Sequence, residues 1–442
     1  MKIIRIVIAV ILIFVMSLAW FSQAKSSLSE SVNIHEFETQ GDKYLEKKLF
    51  QKAVESYSEV VVSKPDKSVY EKLLEAAKSG YKDSIYTLKE TENIMFGACK
   101  DFPKEPQFWE DIISFSYEEK DFKNSYYYLK KAKKSGIRSE TLSELEQDIS
   151  FSFVFTSRVY TSYSRSPEGY YTVTDGNSWG IINTNGDSFF SQSYTYASPM
   201  GIDRTVVLST EKDTRVYDED GVVLAYLPKE IKSTKAIEGC VVPVALSSGW
   251  KYYQYEKDEF ISDSYKDLSS FSNGVAAVKS DETWALINAD IEKISDQSFD
   301  DIKSFDNGTV SYDGIMIASE NSKYGIYDAD GKKINDFICK DADVYYGGAI
   351  AYEDETGKWG FVDKNGNVII EPKYDKAKSF SNNLAAVKSN GKWGFIDTEG
   401  RLVIDYQFLN ADYFTKDGMV MVSETEGQYF TLKLRFPDVL DY

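Results

Sequence analysis

The chain has 442 residues, of which 42% are hydrophobic and 27% charged, the balance of a globular protein long enough for more than one domain. Lys and Arg number 51 against 70 Asp and Glu, so the net charge of −19 repels phosphate backbones and excludes nucleic acid as a partner. Three isolated cysteines (Cys99, Cys240, Cys339) and a single histidine, His35, exclude a disulfide framework, a zinc site of ordinary spacing and a Ser-His-Asp triad.

Residues 1–25 place Lys2 and Arg5 ahead of an apolar run from Ile6 to Phe21. This is the pattern of an export signal. It is either an uncleaved anchor helix, with Trp20 and Phe21 at the membrane interface, or a signal peptide cut after Ala24, with Ser22 at the −3 position. In both cases the positive end stays inside. The expected location is the cell membrane, held through the N-terminal helix with the bulk of the chain outside the cytoplasm, or secretion after cleavage.

Between residues 34 and 149 apolar residues recur at three and four, which is helical spacing. Phe37, Gly41, Tyr44, Ala53, Tyr57 and Pro65 then stand at offsets that resemble the tetratricopeptide repeat, in which small residues let antiparallel helices pack closely. A third unit starts at Trp109, with Ser125, Leu129 and Ala132 in its second helix, and Ala98 and Pro103 keep the phase of a degraded middle unit. The resemblance implies a short array with a concave groove for peptide or protein segments; a plain helical bundle is the alternative. His35 precedes these helices and reads as a surface residue.

From residue 151 to 442 short β-branched and aromatic runs alternate with Asn, Asp, Gly and Ser, so strands replace helices. "KWGFVDKNGNVIIEPKYD" at 358–375 is nearly repeated as "KWGFIDTEGRLVIDYQFL" at 392–409. The slot of that tryptophan is filled by Trp179, Thr214, Trp250, Trp284, Tyr324, Trp359, Trp393 and Tyr429, at intervals of 35, 36, 34, 40, 35, 34 and 36 residues. A constant period marks a repeat architecture whose units bury their apolar faces on one another. Trp179-Gly180, Trp359-Gly360 and Trp393-Gly394 are complete pairs, Tyr324-Gly325 is a conservative one, and Lys251 and Ala285 replace the glycine. The segment resembles the WG repeat family of bacterial proteins, a framework for which no shared activity is implied.

In each unit the Trp strand runs into an Asp-x-x-Gly or related turn, in which Gly186, Gly221, Gly331, Gly366 and Gly400 supply the positive φ of a bulged hairpin. A second strand follows, ended in one unit by Pro372, and a third such as "LAAVK" at 384–388 completes about three strands per unit. The Trp reads as a wedge filling the seam between units, with the glycine admitting backbone from the neighbour; an exposed aromatic platform for sugars is the other reading. The end fragments, 151–178 and 429–436, together make 36 residues, one period. That predicts a propeller-like closed ring of seven intact units and one composite unit, in preference to an open solenoid.

The expected fold class is therefore α+β multidomain: an anchor or signal at 1–25, a TPR-like segment at 34–149 and a WG-repeat β domain at 151–442. The Asp-x-Asp-Gly turns at 218 and 328 lack the remaining ligands of a calcium loop, and no P-loop, Rossmann, GxSxG or HExxH motif occurs. The expected role is a non-enzymatic extracytoplasmic scaffold for an unidentified protein or peptide, needing no cofactor. The alternative is an envelope glycan binder or hydrolase that uses aromatic faces of the array.

Overall fold

The computed structural model describes residues 34–231 and 233–438. The expected export segment at 1–25 lies outside the described residues. The chain forms two compact units, divided between Ile149 and Ser150.

The first unit contains helices α1 (Ile34–Glu46), α2 (Phe50–Ser63), α3 (Lys67–Lys82), α4 (Leu88–Asp101), α5 (Pro106–Glu118), α6 (Phe122–Lys134) and α7 (Glu140–Ser150). Their starts are written in the sequence. The Asp66 carboxylate accepts from the Ser68 and Val69 amides, Thr87 and Glu90 form a capping box, and Pro106 begins α5. Gly41 on α1 faces Tyr57 on α2 so closely that a Cβ would lie 2.5 Å from its ring. Tyr57 and Ala53 are fully buried, and the Tyr57 hydroxyl donates to Asp42 Oδ1 at 2.7 Å. Tyr44 is half-buried, and Pro65 is exposed between α2 and α3. Trp109 is buried and its indole N–H donates to the Pro103 carbonyl at 3.2 Å; Ser125, Leu129 and Ala132 are buried on α6. Among the described residues no helix is long and apolar enough to cross a membrane.

The second unit is a propeller of eight antiparallel sheets. In order, blades 1 to 7 span residues 162–194, 196–226, 233–260, 267–288, 301–339, 341–374 and 376–408. Blade 8 combines 410–434 with Phe153–Phe155, which takes its outer place. The register there is Phe153↔Leu434, Val154↔Lys433 and Phe155↔Leu432, continued by the Thr156 amide donating to the Thr431 carbonyl at 2.9 Å. Joining first and last strands removes the two open edges that a stack would expose. Each seam holds its own apolar cluster, and the last one packs Tyr160, Tyr171, Val173 and Ile182 against Met419 and Met421. The ring is closed.

Two expectations about the unit are corrected. The Trp strand is the third strand of its blade, not the opening one, and six sheets have four strands rather than three; blade 5 adds Ser311–Tyr312 and blade 4 has three. The strand that sequence alone does not resolve is the first of each blade, which is only two residues long in blades 2 to 8. The second strand, such as Leu384–Ser389, is covered on both faces and so reads as a continuous apolar run. Pro372 does not end its strand, which runs from Val368 to Tyr374.

Candidate functional site

The signature tryptophans lie on the third strands and face the seams. Trp393 is buried in a cluster that joins Phe395 and Phe408 of blade 7 to Ala411, Phe414 and Val420 of blade 8, and Trp359 is buried in the equivalent cluster between blades 6 and 7. Trp179, Trp250, Trp284 and Tyr324 occupy the corresponding seams half-buried. Lysine ammonium groups reach several of these rings, Lys303 at 4.3 Å from the Tyr324 centroid and Lys235 at 4.8 Å from that of Trp250. Tyr429 holds the closing seam, where its ring meets Tyr163 edge-on at 5.0 Å. At Thr214 there is no ring, and the seam is filled by Leu227, Ile237 and Val242 instead.

The glycine beside the Trp admits backbone from its own blade, which corrects the expectation of a neighbouring repeat. A Cβ would stand 2.6 Å from the Ile370 carbonyl oxygen at Gly360, 2.6 Å from that of Ile404 at Gly394, and 2.8 Å from Gln192 Cα at Gly180. At each site the outer strand bulges across the glycine: Trp359 pairs with Tyr374 but Phe361 with Ile370, leaving 371–373 out of register. Pro372 sits in that bulge on an outermost strand, where its missing N–H is tolerated. The blades with Gly180, Gly325, Gly360 and Gly394 have seven-residue outer strands. Where Arg215 and Lys251 replace glycine the outer strand shortens to four and two residues, and beside Ala285 no regular outer strand forms. The turn glycines 186, 221, 331, 366 and 400 all have φ between +77° and +85°.

The functional candidate that motif spacing missed lies on the propeller axis. The residue after each short first strand reads Ser198, Lys235, Ser269, Lys303, Asp343, Lys378 and Asp412 in blades 2 to 8. The lysines tie alternate seams: Lys235 to Asp267 and Lys303 to Asp341 at 2.8 Å, and Lys378 to Asp412 at 3.0 Å. The 40-residue interval inserts residues 306–312 of blade 5 across the ring. Asp306 Oδ2 accepts from the Arg165 amide of blade 1 at 3.2 Å, the Asn307 carbonyl from Ala236 at 3.0 Å, and the Gly308 carbonyl from Ser270 at 2.8 Å.

Around Arg165 the axis is walled by aromatic rings. Its guanidinium lies 4.4 Å from the Tyr346 centroid and 5.5 Å from that of Tyr413, two rings stacked at 4.9 Å. Tyr346 donates to the Pro167 carbonyl at 2.6 Å, and Tyr413 donates to Asp343 at 2.7 Å. Burial pushes the Asp343 carboxyl above the ordinary range, and burial together with the charge of Asp412 does the same to Asp306. Asp306 nevertheless keeps contact with solvent. Burial works against the Lys378 ammonium, but Asp412, Asp306 and Asp343 outweigh it and hold its pKa above the usual value.

Cys339 is buried, and burial pushes its thiol up to about 12; Cys99 is likewise buried with its thiol pushed up to about 12, and His35 is exposed on α1. Among the described residues no group of three His, Cys, Asp or Glu side chains is arranged to hold a metal ion.

The model of the WG containing repeat family matches residues 259–284, 359–393 and 393–426. No curated protein matches the chain. Among solved structures, BamB from Moraxella catarrhalis is similar over 64% of this chain and 98% of that one, at 11% identity and a TM-score of 0.38. The Dos1 propeller covers 64% of this chain and 94% of its own at 12% identity and 0.39, and Hsv2p from Kluyveromyces lactis covers 50% and 87% at 11% and 0.33.

Proposed function

A chain that carries WG-containing repeats on a closed eight-bladed ring, preceded in sequence by a unit of helices, is, we propose, a non-enzymatic binding scaffold. The observation that carries this reading is the use of the repeated residues. Trp359 and Trp393 are consumed in seams and Gly360 and Gly394 in strand bulges, so the repeat supplies rigid surface rather than reactive groups. The apolar run after Lys2 and Arg5 supports display of both units outside the cytoplasmic membrane, with a protein or peptide partner at the cell envelope.

The half-buried rings of Trp179, Trp250 and Trp284 favour a second reading, binding of envelope glycan on aromatic faces. Residues 26–442 immobilised and exposed to solubilised envelope proteins, and in parallel sedimented with purified envelope glycan, separate the two. Capture of one protein at stoichiometric yield, with no glycan retained, is expected. Release of soluble sugar from the glycan would overturn the non-enzymatic role, and resistance of the chain to protease on intact cells would overturn the external location.

A further inference from the structure

Five asparagines stand directly before glycine, Asn185, Asn273, Asn307, Asn365 and Asn390, and all five lie in the propeller. In such a pair the glycine amide nitrogen can attack the asparagine side-chain carbonyl carbon, because no Cβ obstructs closure of the five-membered ring. The attacking amide must give up its proton and be free of any acceptor. The fold divides the five pairs on this point. The Gly186 amide donates to the Asn183 carbonyl at 2.9 Å, Gly308 to that of Phe305 at 2.9 Å, and Gly366 to that of Asp363 at 3.0 Å, each within its own turn. The Gly274 amide donates to Glu238 Oε1 at 3.0 Å. Among the described residues the Gly391 amide has no acceptor, and the Asn390 side chain makes no hydrogen bond.

Asn273 is the matched control for Asn390. Both pairs form two-residue turns closed by an antiparallel pair, Ser272↔Val275 and Ser389↔Lys392. Backbone φ is positive at both residues of each turn, +53° and +79° in the first, +50° and +83° in the second. Both asparagines are exposed, and a Cβ on either glycine would meet nothing within 4 Å. What separates them is the Glu238 carboxylate on the Gly274 amide.

We propose that Asn390 is the site at which the propeller is modified as it ages, by spontaneous deamidation. Gly391 N loses its proton to solvent and bonds to Asn390 Cγ; the Cγ–Nδ2 bond breaks and the nitrogen leaves as ammonia, giving a cyclic imide. Water then opens the ring. Addition at Cγ leaves aspartate, and addition at the main-chain carbonyl carbon leaves isoaspartate, in which the chain continues through Cγ. One water is consumed and one ammonia released, with no change of oxidation state. Isoaspartate lengthens the two-residue turn by one carbon beside the Lys388↔Trp393 pair, so blade 7 loosens at the strand that carries Trp393. This concerns the lifetime of the scaffold and does not depend on what it binds.

The experiment is peptide mapping of the full chain held folded in mildly alkaline buffer, with fragmentation that separates aspartate from isoaspartate, and the same incubation in urea. In the folded chain conversion at Asn390 should be at least about fivefold faster than at each of the other four, the ratio imposed by one hydrogen bond that those must first break. In urea the five rates should converge. Glu238→Ala, which frees the Gly274 amide, should raise conversion at Asn273 by a similar factor and leave Asn390 unchanged. Hydrogen exchange across residues 384–397 should quicken in step with isoaspartate at 390. The proposal is overturned if another of the four converts as fast as Asn390 in the folded chain, or if the preference for Asn390 persists undiminished in urea. It is also overturned if Glu238→Ala folds and leaves Asn273 as slow as before, or if isoaspartate at 390 leaves exchange across 384–397 unchanged. If Glu238→Ala fails to fold, the folded and urea-unfolded rates of the unaltered chain carry the test.

Discussion

Gly394 lies beneath the carbonyl oxygen of Ile404, at a separation that would bring an added Cβ to 2.6 Å from that oxygen. The contact is backbone on backbone, so no side chain can swing aside to relieve it. Gly394→Ala is therefore expected to destabilise the propeller by about 2–3 kcal/mol, as overpacking of a fixed site does. Ala285→Gly, in the blade without a regular outer strand, should gain nothing and lose about 0.5–1 kcal/mol through backbone entropy. Urea unfolding of the two variants checks the pair.

Ring closure rests on a short N-terminal strand. Thr156→Pro removes the amide that donates to Thr431 and should cost about 3 kcal/mol or more. Because every seam is shared, hydrogen exchange should accelerate around the ring, while the helices of residues 34–149 keep their protection. Acceleration confined to blade 8 would show that the closing strand is dispensable.

Trp393 is 8% exposed and sits among residues of two blades. Trp393→Ala should cost about 3–5 kcal/mol. Trp179→Ala, at a half-buried ring, should cost less than half of that. The order is read from chemical denaturation midpoints at constant slope.

Blade 4 turns at Ile291 with φ of +66°, where five other blades place glycine. A β-branched residue is strained there, and the half-buried side chain packs against the seam of blades 3 and 4. Removing the side chain loses packing, but glycine alone also removes the strain. Ile291→Gly should thus be more stable than Ile291→Ala by about 1–2 kcal/mol, the reverse of the usual strand order.

In the helical unit Glu92 is buried, and it accepts from the Ser116 hydroxyl at 2.6 Å and the Asn124 amide at 2.7 Å. Burial raises its pKa above the ordinary carboxylate value of about 4.5. The folded state therefore binds the proton more readily than the unfolded chain. The associated stability is present below pH 4.5 and is lost as pH rises through the folded value. Acidification from neutral pH into that window should raise the contribution of this site, and Glu92→Gln should flatten the slope, as followed by helix protection against exchange.

The local and periodic features were legible in the amino-acid order. Helical spacing with Gly41 opposite Tyr57, a 34–36-residue beat of Trp-Gly and Asp-x-x-Gly, and end fragments that sum to one period depend only on neighbours and repetition, so they led to helix pairs and a closed ring. Three-dimensional contact decided the rest. The two-residue first strands have too few residues to show an alternation, so the blade was read in the wrong phase. Pro372 looked like a stop because the bulge that accommodates it exists only once Gly360 and the outer strand meet. The interval of 40 announced an insertion, but not that Asp306 would reach Arg165 across the ring. Arg165 and Asp412 are 247 residues apart and carry no spacing signal among 70 acidic and 51 basic residues. Their shared burial is a property of the tertiary structure, which draws out of water charges that would be solvated in any single repeat.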